Sequence, residues 1–173
     1  MNKNELRKKY KEVRKNIYNK EELNNIIFNK VINNKKVLSC NTILIYVSFN
    51  DEVDTINIIK YFLGKKKIAV PRIENNIMNF YYINSLNDLK EGYFNILEPT
   101  TNNKVKDYNN SICITPGICF DSNNYRVGYG KGYYDRFLSD KNIYTIGISY
   151  KDTIVKKIDT DKHDIKLNEV ITN

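Results

Sequence analysis

The chain has 173 residues, 41% hydrophobic and 28% charged, which fits one globular domain with a core of ordinary size. No apolar run is long enough to span a membrane, three cysteines (40, 113, 119) without a Cys-x-x-Cys pair indicate neither a zinc ribbon nor a disulfide framework, and the single His163 excludes paired-histidine metal motifs. A formal net charge of +8 raises the question of nucleic acid, but the lysines are spread along the chain and no RNA- or DNA-binding signature is present. A field of that sign steers an anionic small molecule equally well. The N-terminus carries no signal-peptide core, so a reducing cytoplasm is the expected compartment.

In chain order, residues 2–18 predict an amphipathic helix, with Leu6, Tyr10, Val13 and Ile17 on one stripe. Lys3, Arg7, Lys11 and Arg14 form a second stripe beside it. Such charges usually make a solvated face, but Lys3 and Arg7 border the apolar stripe and can reach over a ligand at the helix edge. Residues 21–38 predict a second helix with Leu23, Ile26, Ile27, Val31 and Leu38 as its apolar positions. Residues 42–48 form a continuous β-branched and apolar run, the pattern of a strand covered on both faces. A helix is expected from about Glu52 to Leu63. In open α/β sheets ligands bind beyond the carboxyl ends of strands. Glu52 lies at such an end, although a helix-start carboxylate favoured by the dipole is the bland alternative.

Residues 67–70 predict a short strand closed by Pro71-Arg72, and 77–83 another with one wetter face. Residues 84–90 read as a short helix or turn, and 100–110 as a polar surface loop. Strands are expected over 111–115 and 143–149, and a helix from Tyr133 to Leu138. Cys113 falls inside a strand and reads as core. Strands alternating with helices imply a three-layer α/β domain with a largely parallel sheet.

Between the strand at 111–115 and the helix at 133 lie Pro116-Gly117-x-x-Phe120-Asp121 and Arg126-x-Gly128-x-Gly130-x-Gly132-Tyr133-Tyr134-Asp135-Arg136. Three of the chain's seven glycines stand here on alternate positions. Glycines so spaced let the backbone turn its N–H groups toward one point, a nest that suits a phosphate beside a helix N-terminus. Arg126, expected at a pocket rim, Lys131 and Arg136 add cations, and Asp135 adds a carboxylate for magnesium. The pattern is neither a Walker A loop, since Gly132 follows Lys131, nor a dinucleotide fingerprint, since position 133 is Tyr. A glycine-rich turn with no ligand is the alternative.

This stretch resembles the signature of the 5-formyltetrahydrofolate cyclo-ligase family, also called 5,10-methenyltetrahydrofolate synthetases. Two positions depart from it: Asn124 replaces a usual Gly, and Val127 a usual Leu. Asn tolerates positive φ better than most residues, so the turn survives. The resemblance extends from Lys3-x-x-Leu6-Arg7 to a tail containing His163-Asp164 and Val170-Ile171-Thr172, with Lys162, Asn168 and Ile73 as further departures.

The resemblance implies a fold similar to the sugar-phosphate-isomerase and CoA-transferase group. It also implies a reaction in which ATP and 5-formyltetrahydrofolate give ADP, phosphate and 5,10-methenyltetrahydrofolate. By the same route ATP is held by Lys3, Arg7, Arg126, Gly128, Tyr129, Gly130, Lys131, Gly132, Tyr133 and Tyr134, with Arg126, Lys131 and Tyr134 serving catalysis. Val47, Phe49, Glu52 and Phe94 would line the folate, Phe94 being equally readable as a core aromatic. Asp135 and Asp164 would share a magnesium ion (Mg2+); the plain alternatives are a helix-capping Asp135 and an exposed Asp164 paired with a lysine. The expected partners are small molecules only, with neither nucleic acid nor membrane, acting on a monomer. Competing classes are a non-catalytic nucleotide- or RNA-binding protein and a sugar-phosphate isomerase.

Overall fold

The computed structural model describes Met1–Asn173. The apolar run at 42–45 forms β1 (Thr42–Ile45), buried at every residue, and a strand covered on both faces needs partners on both edges. It finds them in β2 (Lys67–Glu74) and β6 (Ser111–Thr115), both parallel to it. Beyond β6 lie β9 (Tyr144–Ser149) and β11 (Glu169–Thr172), again parallel. β3 (Ile77–Ile83) pairs antiparallel with β2 and closes the other edge, giving the order β11-β9-β6-β1-β2-β3. This is the expected mixed α/β architecture with a largely parallel sheet.

Side-chain alternation along β1 sends Ile43 and Ile45 into one core and Leu44 into the other. The first core joins α2 (Lys20–Ile32), α3 (Lys35–Ser39) and α4 (Ile56–Phe62) through Ile27, Val31, Val37, Ile58 and Phe62. The second holds Phe137 and Leu138 of α5 (Tyr133–Leu138) against Phe80, Ala69 and Cys113. Helices therefore cover both faces. Helix α1 (Lys3–Lys15) starts at a capping box, in which the Asn2 side chain accepts from the backbone of Asn4 and Glu5 while the Glu5 carboxylate accepts from the Asn2 N–H. Its Leu6 packs with Cys119, Val127 and Ile158 in a third cluster.

Three expectations are corrected. The helix expected over 21–38 breaks at Asn33–Asn34, because the Asn34 side chain caps a new helix by accepting from Lys36 and Val37. The restart shifts the phase, burying Val37 and leaving Leu38 55% exposed. The strand expected to close at Pro71 continues to Glu74: β1 pairs with β2 only as far as Ala69, so a proline without an N–H loses no ladder bond on that side. The expected strand over 42–48 keeps its ladder only to Ile45, although Tyr46 and Val47 stay buried.

Two small sheets complete the chain. One pairs β7 (Cys119–Asp121) with β8 (Arg126–Val127) and β10 (Ile154–Val155); the other pairs β4 (Leu89–Glu91) with β5 (Leu97–Pro99). The polar segment 100–110 runs outside these elements, pinned by Val105, which is 1% exposed.

Candidate active site

The sheet order places the site. From β1 the chain moves outward to β2 and β3, then crosses back to β6, so the direction of winding reverses between β1 and β6. Beyond the carboxyl ends of strands at such a switch point lies a ready crevice. The turn 46–55 follows β1, and Pro116-Gly117 follows β6. Arg14, Tyr46, Glu52, Pro116, Gly117 and Tyr150 line one recess there.

The glycine stretch is built from packing constraints. The Phe120 ring lies where a Cβ on Gly117 would come within 2.6 Å and one on Gly147 within 2.5 Å, so both positions exclude side chains. Asp121 is buried and accepts from Asn123 and Tyr125 through Oδ1 and from Ile158 through Oδ2, fixing the β7–β8 turn. Asn124 takes φ +67° in that turn, the left-handed conformation expected of it. After β8 the chain passes Gly128, Gly130 (φ +97°) and Gly132 (φ +69°) into α5. The N–H groups of residues 128–132 donate to no protein acceptor. Arg7 lies alongside, its Nε donating to the Gly128 carbonyl at 2.8 Å.

Tyr129 leaves this loop for the opposite wall of the crevice. Its hydroxyl donates to Glu52 Oε1 at 2.7 Å, and Arg14 Nη2 donates to the same hydroxyl at 2.8 Å. Glu52 Oε2 accepts from the Phe49 N–H at 2.8 Å. Burial raises the Glu52 pKa; the bonds from Tyr129 and Phe49 and the charge of Arg14 oppose that rise without cancelling it.

Arg126 is 8% exposed and pairs with Asp135 Oδ1 at 3.2 Å, its guanidinium 5.8 Å from the centre of the Tyr134 ring. It is thus interior to the wall, where the sequence suggested a rim. Burial, then the neighbouring Cys113 and Glu52, drive the Tyr134 pKa well above the ordinary value, with Arg126 opposing. Lys3 bridges Asp164 and Asp161, so it is the lysine that pairs with Asp164. Burial pulls the Lys3 pKa down, but the two carboxylates hold it above its ordinary value. Asp135 also accepts from the Ile165 N–H at 3.1 Å, which brings the tail beside α5.

A family model described as the 5-formyltetrahydrofolate cyclo-ligase family matches residues 1–173. This chain belongs to the 5-formyltetrahydrofolate cyclo-ligase family. Among its relatives, the mouse 5-formyltetrahydrofolate cyclo-ligase is 30% identical over 162 residues, covering 84% of this chain and 80% of the mouse protein. The Haemophilus influenzae protein of the same name is 28% identical over 138 residues, covering 75% of this chain and 74% of its own. The Aquifex aeolicus 5,10-methenyltetrahydrofolate synthetase superposes with a TM-score of 0.89 at 29% identity, covering 99% of this chain and 90% of that one.

Of the residues that the family resemblance singles out, Arg7 meets Gly128 and lies beside Gly130, while Arg126 meets Tyr134 and Asp135; the loop through Gly132 runs from one group to the other. Tyr129 joins it to Glu52 and Phe49. Lys3 reaches Asp164 at the tail. Tyr133 stacks with Arg136 across α5, its ring 5.1 Å from the guanidinium, and Lys131 is exposed at the loop's end. Val47 is 4% exposed and belongs to the main core. Phe94 is not a core aromatic: it is 76% exposed on the β4–β5 turn, at φ +55°, with Tyr93 as its ring neighbour. Sequence reasoning missed Arg14, which is 7% exposed and contacts both sides of the crevice. The signal was present, since Arg14 stands two helical turns beyond Arg7 on the same stripe.

Proposed function

We propose that this chain is an ATP- and magnesium-dependent 5-formyltetrahydrofolate cyclo-ligase that forms 5,10-methenyltetrahydrofolate, ADP and phosphate. The observation that carries the reading is the row of unused N–H donors at 128–132, with Arg7 beside it, Arg126 just before it in the chain, and its Tyr129 bonded to Glu52 on the opposite wall of the crevice. The donor set suits a polyphosphate. Arg126 Nη1 is buried with no hydrogen-bond partner, and an unpaired buried donor costs about 1–3 kcal/mol until an acceptor arrives. A Cβ on Gly128 would meet nothing within 4 Å, so that side of the loop is open.

A formamide oxygen is a poor leaving group. Moving the γ-phosphoryl of ATP onto that oxygen lets it depart as phosphate once N10 attacks the formyl carbon, closing the methenyl ring. Such chemistry needs positioning and charge stabilisation and no side-chain nucleophile. Arg126 would hold the transferring phosphoryl with its planar fork, and Lys131 would add a second cation. Tyr134 stays protonated at neutral pH and acts as a hydrogen-bond donor rather than a base. Lys3, Arg7 and the loop amides would bind the rest of the nucleotide. Glu52 would accept from folate N–H groups, between Phe49 and Val47, with Phe94 reaching in from its turn. Asp135 and Asp164 are hard oxygen donors joined through the 164–165 segment and would hold magnesium, which supplies neutralisation of phosphate charge.

The test is direct: the near-UV absorbance of the methenyl product should rise when protein, ATP, magnesium and 5-formyltetrahydrofolate are mixed, and stay flat when any one is omitted. A flat trace in the complete mixture, with folded protein, contradicts the reading.

A further inference from the structure

We propose that Arg14 is a positioning residue that ties the glycine loop to the opposite wall of the crevice through Tyr129. This rests on the cyclo-ligase reading for its catalytic consequence, though not for its geometry. Arg14 sits on the last turn of α1, 7% exposed, an unusual place for a guanidinium on a helix otherwise lined with solvated lysines. Its Nη1 donates to the Gly117 carbonyl at 3.2 Å and its Nη2 to the Tyr129 hydroxyl at 2.8 Å. One planar fork thereby spans the end of β6 and the glycine loop, a geometry that a single ammonium cannot copy.

The direction of the bonds matters. Because Arg14 can only donate, the Tyr129 hydroxyl must accept from it, and its own proton is left for Glu52 Oε1 at 2.7 Å. Arg14 therefore fixes Tyr129 as the donor to Glu52. The Tyr129 ring is further held by the Lys11 ammonium at 5.4 Å and the Arg14 guanidinium at 5.9 Å from its centre. Apart from this tie, the segment containing Gly128, Gly130 and Gly132 is held through carbonyls at its two ends, Gly128 by Arg7 and Lys131 and Gly132 by Arg136, while its own N–H groups make no protein hydrogen bonds. The tie holds those N–H groups in place before the nucleotide arrives. It also makes the nucleotide side and the Glu52 side one mechanical unit.

Three variants test it: Arg14→Lys, Tyr129→Phe and the double Arg14→Lys/Tyr129→Phe. In the ligand-free protein, tryptic cleavage after the exposed Lys131 should quicken by about tenfold in each, as expected for losing one or two charge-assisted bonds that hold the loop, while cleavage after lysines outside the loop stays unchanged. In turnover, KM for ATP and for the folate should both rise about three- to tenfold, and the double variant should be no worse than the worse single one, since both act on one tie. Independent, additive effects, or unchanged cleavage and unchanged KM in Tyr129→Phe, overturn the proposal. A purely structural role for Arg14 predicts a lower Tm with KM for the folded protein unmoved, and that result overturns it as well. If the wild-type protein forms no methenyl product, the cyclo-ligase reading falls, and the cleavage experiment still decides the tie by itself.

Discussion

In the proposed reaction Arg126 would carry the heaviest chemical role, from a constrained position, 8% exposed and paired with Asp135. Replacing it by Ala removes a preorganised donor at developing phosphoryl charge, and should lower turnover by roughly two to three orders of magnitude. Because the residue is interior, the change also leaves Asp135 without its cation, and a loss of about 1–3 kcal/mol should appear in a urea melt. Glu52 supplies a pH test. Its folded pKa is raised by burial above the ordinary 4.5, so the folded state holds its proton to a higher pH than the unfolded chain. The sign follows: where the folded state binds more protons, stability falls as pH rises through the interval just above 4.5. Glu52→Gln removes this dependence, so the stability of the variant relative to wild type should increase across that interval in melts taken from pH 4 to about pH 8. At this scale much was legible: the Asn124 turn, Arg7 beside the loop, and Glu52 beyond β1 follow from residue type and spacing. The burial of Arg14 and Arg126 was not, because a helical stripe shows which face a cation shares, and only the packing of α1 on β7 and β8 shows which end is covered.

Among elements, the glycine loop separates backbone need from ligand need. Gly132 has φ +69°, and a Cβ there would lie 2.9 Å from Arg136 Nη1, so Gly132→Ala should destabilise by about 1–2 kcal/mol. Gly128 has no positive φ and open space around its missing Cβ. Gly128→Ala should therefore melt like wild type yet raise KM for ATP severalfold, since the methyl stands where a phosphate would approach the backbone. Thermal melts beside steady-state kinetics separate the two. The central strands and α5 were readable from apolar runs of the right length. The break at Asn34 and the extension through Pro71 were not: the first depends on a side-chain cap overriding continuous helical spacing, the second on which edge of β2 lacks a partner. The two-residue strands β8 and β10 are too short to carry any periodic signal.

For the molecule as a whole, the reversal of winding between β1 and β6 gathers segments far apart in sequence into one crevice. The tail reaches it because β11 lies on the far edge of the same sheet and the 164–165 segment returns to α5, where Ile165 bonds Asp135. If Asp135 and Asp164 serve one magnesium ion, Asp135→Asn and Asp164→Asn should each raise the magnesium concentration for half-maximal rate, with a combined effect smaller than the sum. Wild-type magnesium dependence in both variants contradicts a shared ion. The central claim is that this crevice phosphorylates the formyl oxygen of its folate. It is tested most directly by turning over 5-formyltetrahydrofolate labelled with heavy oxygen in the formyl group and weighing the phosphate released. The account predicts methenyl product with the label in phosphate, one labelled oxygen per turnover; product formed with unlabelled phosphate contradicts it.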